Sequence, residues 1–214
     1  MLKDIPFFSG LSESDLEIIS SHATTKTFPK NSIIVNEGDE TNSLYVILSG
    51  RVKIYLSDEE GKEIILGFAS SGEHFGELAL LDSEPRSASV MTLENSNLLI
   101  ISKGDFIDCL TKNPEISIAL INQLIHRIRA LTENVKSLAL NNVYRRIVST
   151  LLHLAVKRAD DLLVVQKITQ QDLANMVGAS REMVSRILKD LSAGGYITIE
   201  RKTITINKTL PSGW

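Results

Sequence analysis

The chain has 214 residues, 43% hydrophobic and 23% charged, with a formal net charge of −3. That length suits one large or two modest domains, each with its own core, and no apolar run approaches the roughly 18 residues a membrane span needs. The single cysteine, Cys109, excludes an internal disulfide and any multi-cysteine zinc or iron–sulfur site.

The N-terminal MLKDIPFFSGLSESDLE carries acids where a secretory signal would be apolar, which points to the cytoplasm. Charge is uneven along the chain. Residues 140–214 hold 11 Lys+Arg and 6 Asp+Glu, a net of +5, whereas residues 1–139 hold 12 and 20, a net of −8. Such asymmetry fits a nucleic-acid-facing module joined to an acidic one.

The first expected element is a helix. Ser12 precedes Asp15 by three, as at a capping box, and Leu11, Leu16, Ile18 and Ile19 supply its apolar positions. From about residue 26 to 102 the pattern changes to short β-rich runs: 33–35, 43–48, 52–56, 63–68, 88–92 and 97–101. Turn signals separate them, at 37–39, 49–50, 58–61 and 70–72. Many short strands at near-regular spacing predict an antiparallel barrel or jelly roll.

One segment interrupts that roll. Phe75-Gly76-Glu77-Leu78-Ala79-Leu80 is followed by Pro85-Arg86-Ser87-Ala88. A carboxylate, a guanidinium and a hydroxyl are thus set around a small-residue turn. A cyclic nucleotide offers a ribose hydroxyl to the carboxylate and a phosphate to the guanidinium, whose planar fork gives two parallel charge-assisted bonds. A surface Glu and Arg flanking a turn would account for Arg86 alone, but not for the whole string.

A long helix is predicted from about Pro114 to Leu140, with Pro tolerated in its first turn. Ile121, Leu124, Ile128, Leu131, Val135 and Leu138 are spaced 3-4-3-4-3, the a/d seam of two helices packed along their length. The reading is a parallel homodimer interface, with Ile116 and Leu120 facing the roll and Asn141-Asn142 forming a hinge. Next, 144–157 is amphipathic, and a polar turn follows. Thr169 then caps a short helix, 170–177; Gly178 permits a sharp turn; Ser180 caps a second helix, 181–191, ended by Gly194-Gly195. The alternating runs 196–200 and 203–206, joined at Arg201-Lys202, read as a β-hairpin wing. The second helix sets Arg181, Glu182, Ser185, Arg186 and Lys189 opposite its apolar face. Arg can bond guanine O6 and N7, and Glu can accept from cytosine N4.

Residues 168–191, ITQQDLANMVGASREMVSRILKDL, strongly resemble the recognition motif of the cyclic AMP receptor protein and fumarate-nitrate regulator (CRP/FNR) family. The FGELAL…PRSA string resembles the phosphate-binding cassette of cyclic-nucleotide-binding domains, and the spacing of nine from Glu77 to Arg86 lies within that pattern. The resemblance covers nearly the whole chain in order. It implies an α+β fold: an N-terminal antiparallel β-roll (jelly roll), 1–113; a dimerisation helix, 114–140; and a C-terminal winged helix-turn-helix, 141–214.

It further implies a homodimeric, sequence-specific transcription regulator in which Gly76 and Glu77 hold the ribose and Arg86 and Ser87 the phosphate. Arg127 stands near the phosphate, and Leu66, Phe75, Leu78 and Ala88 complete the lining. The family's adenine-reading Thr-Ser pair falls here on Leu131 and Thr132; only Thr132 can bond a base edge. Cyclic AMP is the first reading for the effector, with cyclic GMP, a cyclic dinucleotide and no ligand as alternatives. Arg181, Glu182 and Arg186 match the base readers, implying TGTGA-like half-sites in an inverted repeat. Thr169, Gln170, Ser180, Ser185, Lys189 and Lys202 are the implied supporting DNA contacts, and RNA polymerase is an expected partner.

An enzyme is not expected. His22, His74, His126 and His153 are scattered, with no paired-ligand motif, and no nucleophile elbow occurs. A haem- or other-effector-sensing regulator of the same family, and an effector-independent one, are the closer rivals. No cofactor or metal is implied beyond the allosteric effector.

Overall fold

The computed structural model describes Ile5, residues 22–158 and residues 162–211. The helix expected around Ser12 to Ile19 lies outside the described residues. The chain divides into two compact units, Met1–Arg129 and Ala130–Trp214. The division falls inside the long helix, rather than at either of its ends.

In the first unit two four-stranded antiparallel sheets face one another. One is ordered β1 (Thr24–Phe28), β8 (Ser96–Ser102), β3 (Ser43–Ser49), β6 (His74–Phe75). The other is ordered β2 (Ile33–Val35), β7 (Ser89–Thr92), β4 (Arg51–Ser57), β5 (Glu63–Ser70). The two-residue period of a strand assigns the faces. Ile47, Val52, Ile54, Val90 and Leu98 point into the space between the sheets. Leu44, Val46, Leu99 and Ile101 point the other way, into a second cluster with Leu80, Phe106, Ile116 and Leu120. Three helices supply that cover: α1 (Glu77–Leu81), α2 (Lys103–Lys112) and the start of α3 (Pro114–Leu140). Ser102 caps α2 by accepting from the Asp105 amide.

Two elements here carried no periodic signal. Helix α1 has five residues, too few to show a period. Strand β6 has two.

On α3 the exposed apolar stripe differs from the predicted seam. Leu124, one of the predicted seam, is half-buried and packs on the roll's cluster. Ile118 and Ile125, absent from the predicted set, are exposed together with Ile121, Ile128, Leu131, Val135 and Leu138. Ile128 and Val135 are 63% and 66% exposed.

The second unit is built on one core of α4 (Val143–Leu154), α5 (Gln170–Val177), α6 (Arg181–Ala193) and a four-stranded sheet ordered β11-β12-β10-β9. The strands are β9 (Val156–Lys157), β10 (Leu163–Val165), β11 (Ile197–Glu200) and β12 (Thr203–Ile206). The predicted amphipathic helix thus ends three residues early. Ala155 is already extended, and Val156–Lys157 pairs with β10. The wing is part of a sheet, not an isolated hairpin; a two-stranded hairpin alone is marginal in water.

Thr169 and Asp172 form a reciprocal capping box at α5. Gly178, at φ 59°, supplies the left-handed turn to α6. Arg146 of α4 ties this turn to the end of α3: it donates to the carbonyls of Asn141 (3.1 Å), Leu138 (3.4 Å) and Gly178 (3.4 Å).

Candidate functional site

The interruption in the roll folds into a cleft. Gly76, at φ 90°, ends β6 and opens α1; a Cβ there would collide with Arg86 Nη1. The residues lining the cleft include Phe75, Gly76, Glu77, Leu78, Ala79, Arg86, Ser87, Ala88 and Arg127, with Val35, Ile54 and Val90 as its apolar floor. The cavity among them has a volume of about 30 Å³. Leu66 is not part of this lining; it packs half-buried against the inter-sheet core. Thr132 is exposed and belongs to the second unit.

Both charged side chains of the predicted pair are buried, Glu77 at 2% exposure and Arg86 at 4%. A buried carboxylate needs a partner, and Arg127 Nη1 donates to Glu77 Oε1 at 3.1 Å. The second oxygen, Oε2, is buried and accepts no hydrogen bond among the described residues. Arg86 donates from Nη1 to Gly76 O (2.6 Å), from Nη2 to Ser43 O (2.5 Å), and from Nε to Thr41 Oγ1. Burial pushes the guanidinium's pKa below its usual value, opposed by Tyr45, Glu77 and Asp39; an arginine stays charged regardless. Tyr45 stacks on Phe75 with centroids 5.0 Å apart, and Arg86 lies 5.8 Å from the Tyr45 ring centroid. Ser87 is exposed at the cleft edge. Two fixed cations, one unpaired carboxylate oxygen and an apolar floor can hold a small anion that carries hydroxyl donors.

Sequence reasoning missed Thr41 here, along with Val35, Ile54, Ala79 and Val90 of the lining. Thr41 precedes Arg86 by 45 positions, and only the folded loop brings them together.

The second unit presents a different surface. Ser180 caps α6 by accepting from the Met183 amide at 3.2 Å. Val184, Leu188 and Leu191 are buried, whereas Arg181, Glu182, Arg186 and Lys189 are exposed and Ser185 is half-buried. Those four charged side chains form no ion pair among the described residues, so their polar groups are available to an external partner.

Thr169, Gln170, Gln171, Arg181, Arg201 and Lys202 line one groove between the helix pair and the wing. Arg201 and Gln171 join the predicted set there. Arg201 takes a left-handed conformation at φ 56°, which turns the hairpin tightly. A helix carrying base-edge donors beside a cationic groove suits a nucleic-acid duplex, whose phosphates position and whose bases specify.

Among the described residues no helix is long and apolar enough to cross a membrane, and no cluster of three His, Cys, Asp or Glu could hold a metal.

Residues 25–113 match the cyclic nucleotide-binding domain family and residues 145–209 the Crp-like helix-turn-helix domain family. The cAMP-activated global transcriptional regulator CRP of Salmonella typhimurium is 36% identical over 199 residues, covering 91% of this chain and 94% of that one. The CRP-like cAMP-activated global transcriptional regulator of Mycobacterium tuberculosis is 30% identical over 204 residues, covering 94% and 91%. Among solved structures, the c-di-GMP responsive global regulator CLP of Xanthomonas campestris superposes with a TM-score of 0.79 at 30% identity, covering 92% of this chain and 100% of that one. The chain belongs to the CRP/FNR family of DNA-binding transcription regulators, which are not enzymes.

Proposed function

We propose that the chain is a homodimeric, sequence-specific DNA-binding regulator gated by a cyclic nucleotide held in the β-roll cleft, cyclic AMP being the first effector to test. The observation that carries this reading is the buried Glu77 carboxylate with one oxygen unpartnered, beside the buried Arg86 guanidinium. An unpaired buried acceptor is costly, and a ribose hydroxyl would satisfy it. Arg86, Ser87 and Arg127 would hold the phosphate, and Val35, Ile54 and Ala88 would meet apolar parts of the ligand. The name of the Salmonella relative, a cAMP-activated regulator, supports the choice of nucleotide.

A specific residue favours a second effector. Leu131 stands where the family resemblance expects a base-reading hydroxyl, and the Xanthomonas relative is described as responsive to c-di-GMP. A cyclic dinucleotide is therefore the alternative.

The exposed stripe of Ile118, Ile121, Ile125, Ile128 and Val135 is the surface we assign to a second copy of the chain, because isoleucines at coiled-coil spacing gain most from a like helix. Arg127 lines the cleft and stands on the same helix, so a ligand that engages Arg127 acts on the dimer helix directly. In a dimer the two α6 helices would read TGTGA-like half-sites of an inverted repeat through Arg181, Glu182 and Arg186, and RNA polymerase is the proposed downstream partner.

Calorimetric titration with cyclic AMP, cyclic GMP and cyclic di-GMP tests the reading. One site per protomer for one of the three is expected; no heat with any of them would refute nucleotide gating.

A further inference from the structure

We infer that Thr41 is a positioning residue for the effector's phosphate: its hydroxyl accepts the Arg86 Nε–H and fixes the plane of the guanidinium in the cleft. The inference rests on the cyclic-nucleotide reading and extends it to a side chain that acts only through Arg86.

The loop that carries Thr41 grips Arg86 by both backbone and side chain. Gly38 N donates to Arg86 O at 2.8 Å, and Arg86 N donates to Asp39 O at 3.0 Å. Asp39 is itself anchored, since its Oδ2 accepts from Asn36 N (2.9 Å) and Asn36 Nδ2 (3.2 Å). From the same loop Thr41 Oγ1 takes the Nε–H, and Ser43, at the start of β3, takes Nη2 through its carbonyl.

An arginine side chain has five N–H donors in a fixed fork. Thr41, Ser43 and Gly76 accept one each. One N–H remains on each of Nη1 and Nη2, and a pair of parallel donors is what bidentate phosphate recognition uses. Two of the three acceptors are backbone carbonyls. The third, the Thr41 hydroxyl, belongs to a side chain and is a matter of sequence. At 4% exposure the Nε–H has no water to turn to. Without the hydroxyl the guanidinium must swing toward another acceptor, and its two remaining N–H donors move with it. A preorganised fork spares the ligand the cost of ordering a flexible side chain.

The test compares Thr41→Val, which keeps the shape and removes the acceptor, with Thr41→Ser, which keeps the hydroxyl; Thr41→Ala replaces the valine variant if that variant does not fold. The full-length proteins are titrated with cyclic AMP, cyclic GMP and cyclic di-GMP. Hydrogen exchange of the Arg86 Nε–H is followed by NMR in parallel. Thr41→Val is expected to bind the preferred nucleotide about tenfold more weakly and to exchange its Nε–H faster, while Thr41→Ser stays within about twofold of the parent on both. Equal affinity in Thr41→Val and the parent would overturn the inference. So would an equal loss in the valine and serine variants, or an Nε–H equally protected in all three. A parent that binds none of the nucleotides, yet loses Nε–H protection only in Thr41→Val, would refute the nucleotide reading while upholding the positioning of Arg86.

Discussion

Arg127 and Glu77, 50 residues apart in sequence, meet at 3.1 Å through Nη1 and Oε1. The pair joins the helix that opens the cleft to the long helix that leaves the roll. It also uses one oxygen of the carboxylate and leaves Oε2 buried without a partner among the described residues. The carboxylate's charge is therefore paired while one of its oxygens still lacks a hydrogen-bond donor among the described residues.

Arg127→Met removes the only cation paired with Glu77 among the described residues. Glu77 is nearly fully buried but the Arg127 side chain is 36% exposed, so the cost sits below that of a fully buried pair, at about 1–3 kcal/mol. Urea denaturation of the parent and variant measures it. Glu77→Gln removes the charge that needs pairing, so adding Arg127→Met to it should cost less than Arg127→Met costs alone.

Arg86→Leu is expected to abolish nucleotide binding and also to weaken the fold. The fold weakens because the truncation strands Thr41 Oγ1, Ser43 O and Gly76 O. A loss of about 2–4 kcal/mol follows, measurable as a fall in the urea midpoint. Arg86→Lys keeps the charge and loses the fork, so nucleotide affinity should fall further than stability.

Arg181→Ala should leave folding unchanged, since the side chain is exposed and pairs with no described residue. Operator affinity should fall by about 1–3 kcal/mol, with relaxed preference at one base position. Anisotropy titrations against single-base operator variants separate this from phosphate contact, which would weaken all sequences alike.

The pKa of His74 lies below 6.5, held down chiefly by burial; Glu77 pulls it up and Arg127 pushes it down. The native state thus favours the neutral ring. Below pH 6.5 the unfolded chain binds a proton more readily than the native one, so stability falls as pH drops from 6.5 toward the native pKa. Above 6.5 the effect vanishes. Urea midpoints at pH 7.5 and 5.5 should show a steeper decline for the parent than for His74→Gln; parallel declines would count against the assignment.

Strands β3 and β8 and the helix-turn-helix were legible because their signals are local: β-rich apolar runs at 43–48 and 97–101, and the capping pair Thr169 and Asp172 around one turn. Short elements were not. Val156–Lys157 continues the apolar rhythm of α4, and only pairing with β10 makes it a strand. Spacing gives a face and not what packs on it: Leu124, placed in the seam by heptad counting, also packs on the roll's cluster, and Ile118 and Ile125, outside that count, are exposed. The Glu77 and Arg86 pair was visible as chemistry in one short string, whereas Thr41 was invisible because its role is purely tertiary.

The most direct test of nucleotide gating is operator binding by the full-length protein, read by anisotropy on a labelled duplex with inverted TGTGA half-sites, with and without saturating cyclic AMP, cyclic GMP or cyclic di-GMP. One nucleotide should tighten binding by about 5- to 150-fold, and Arg86→Lys should erase the difference. Identical affinity for the duplex in the presence and absence of all three nucleotides would contradict it.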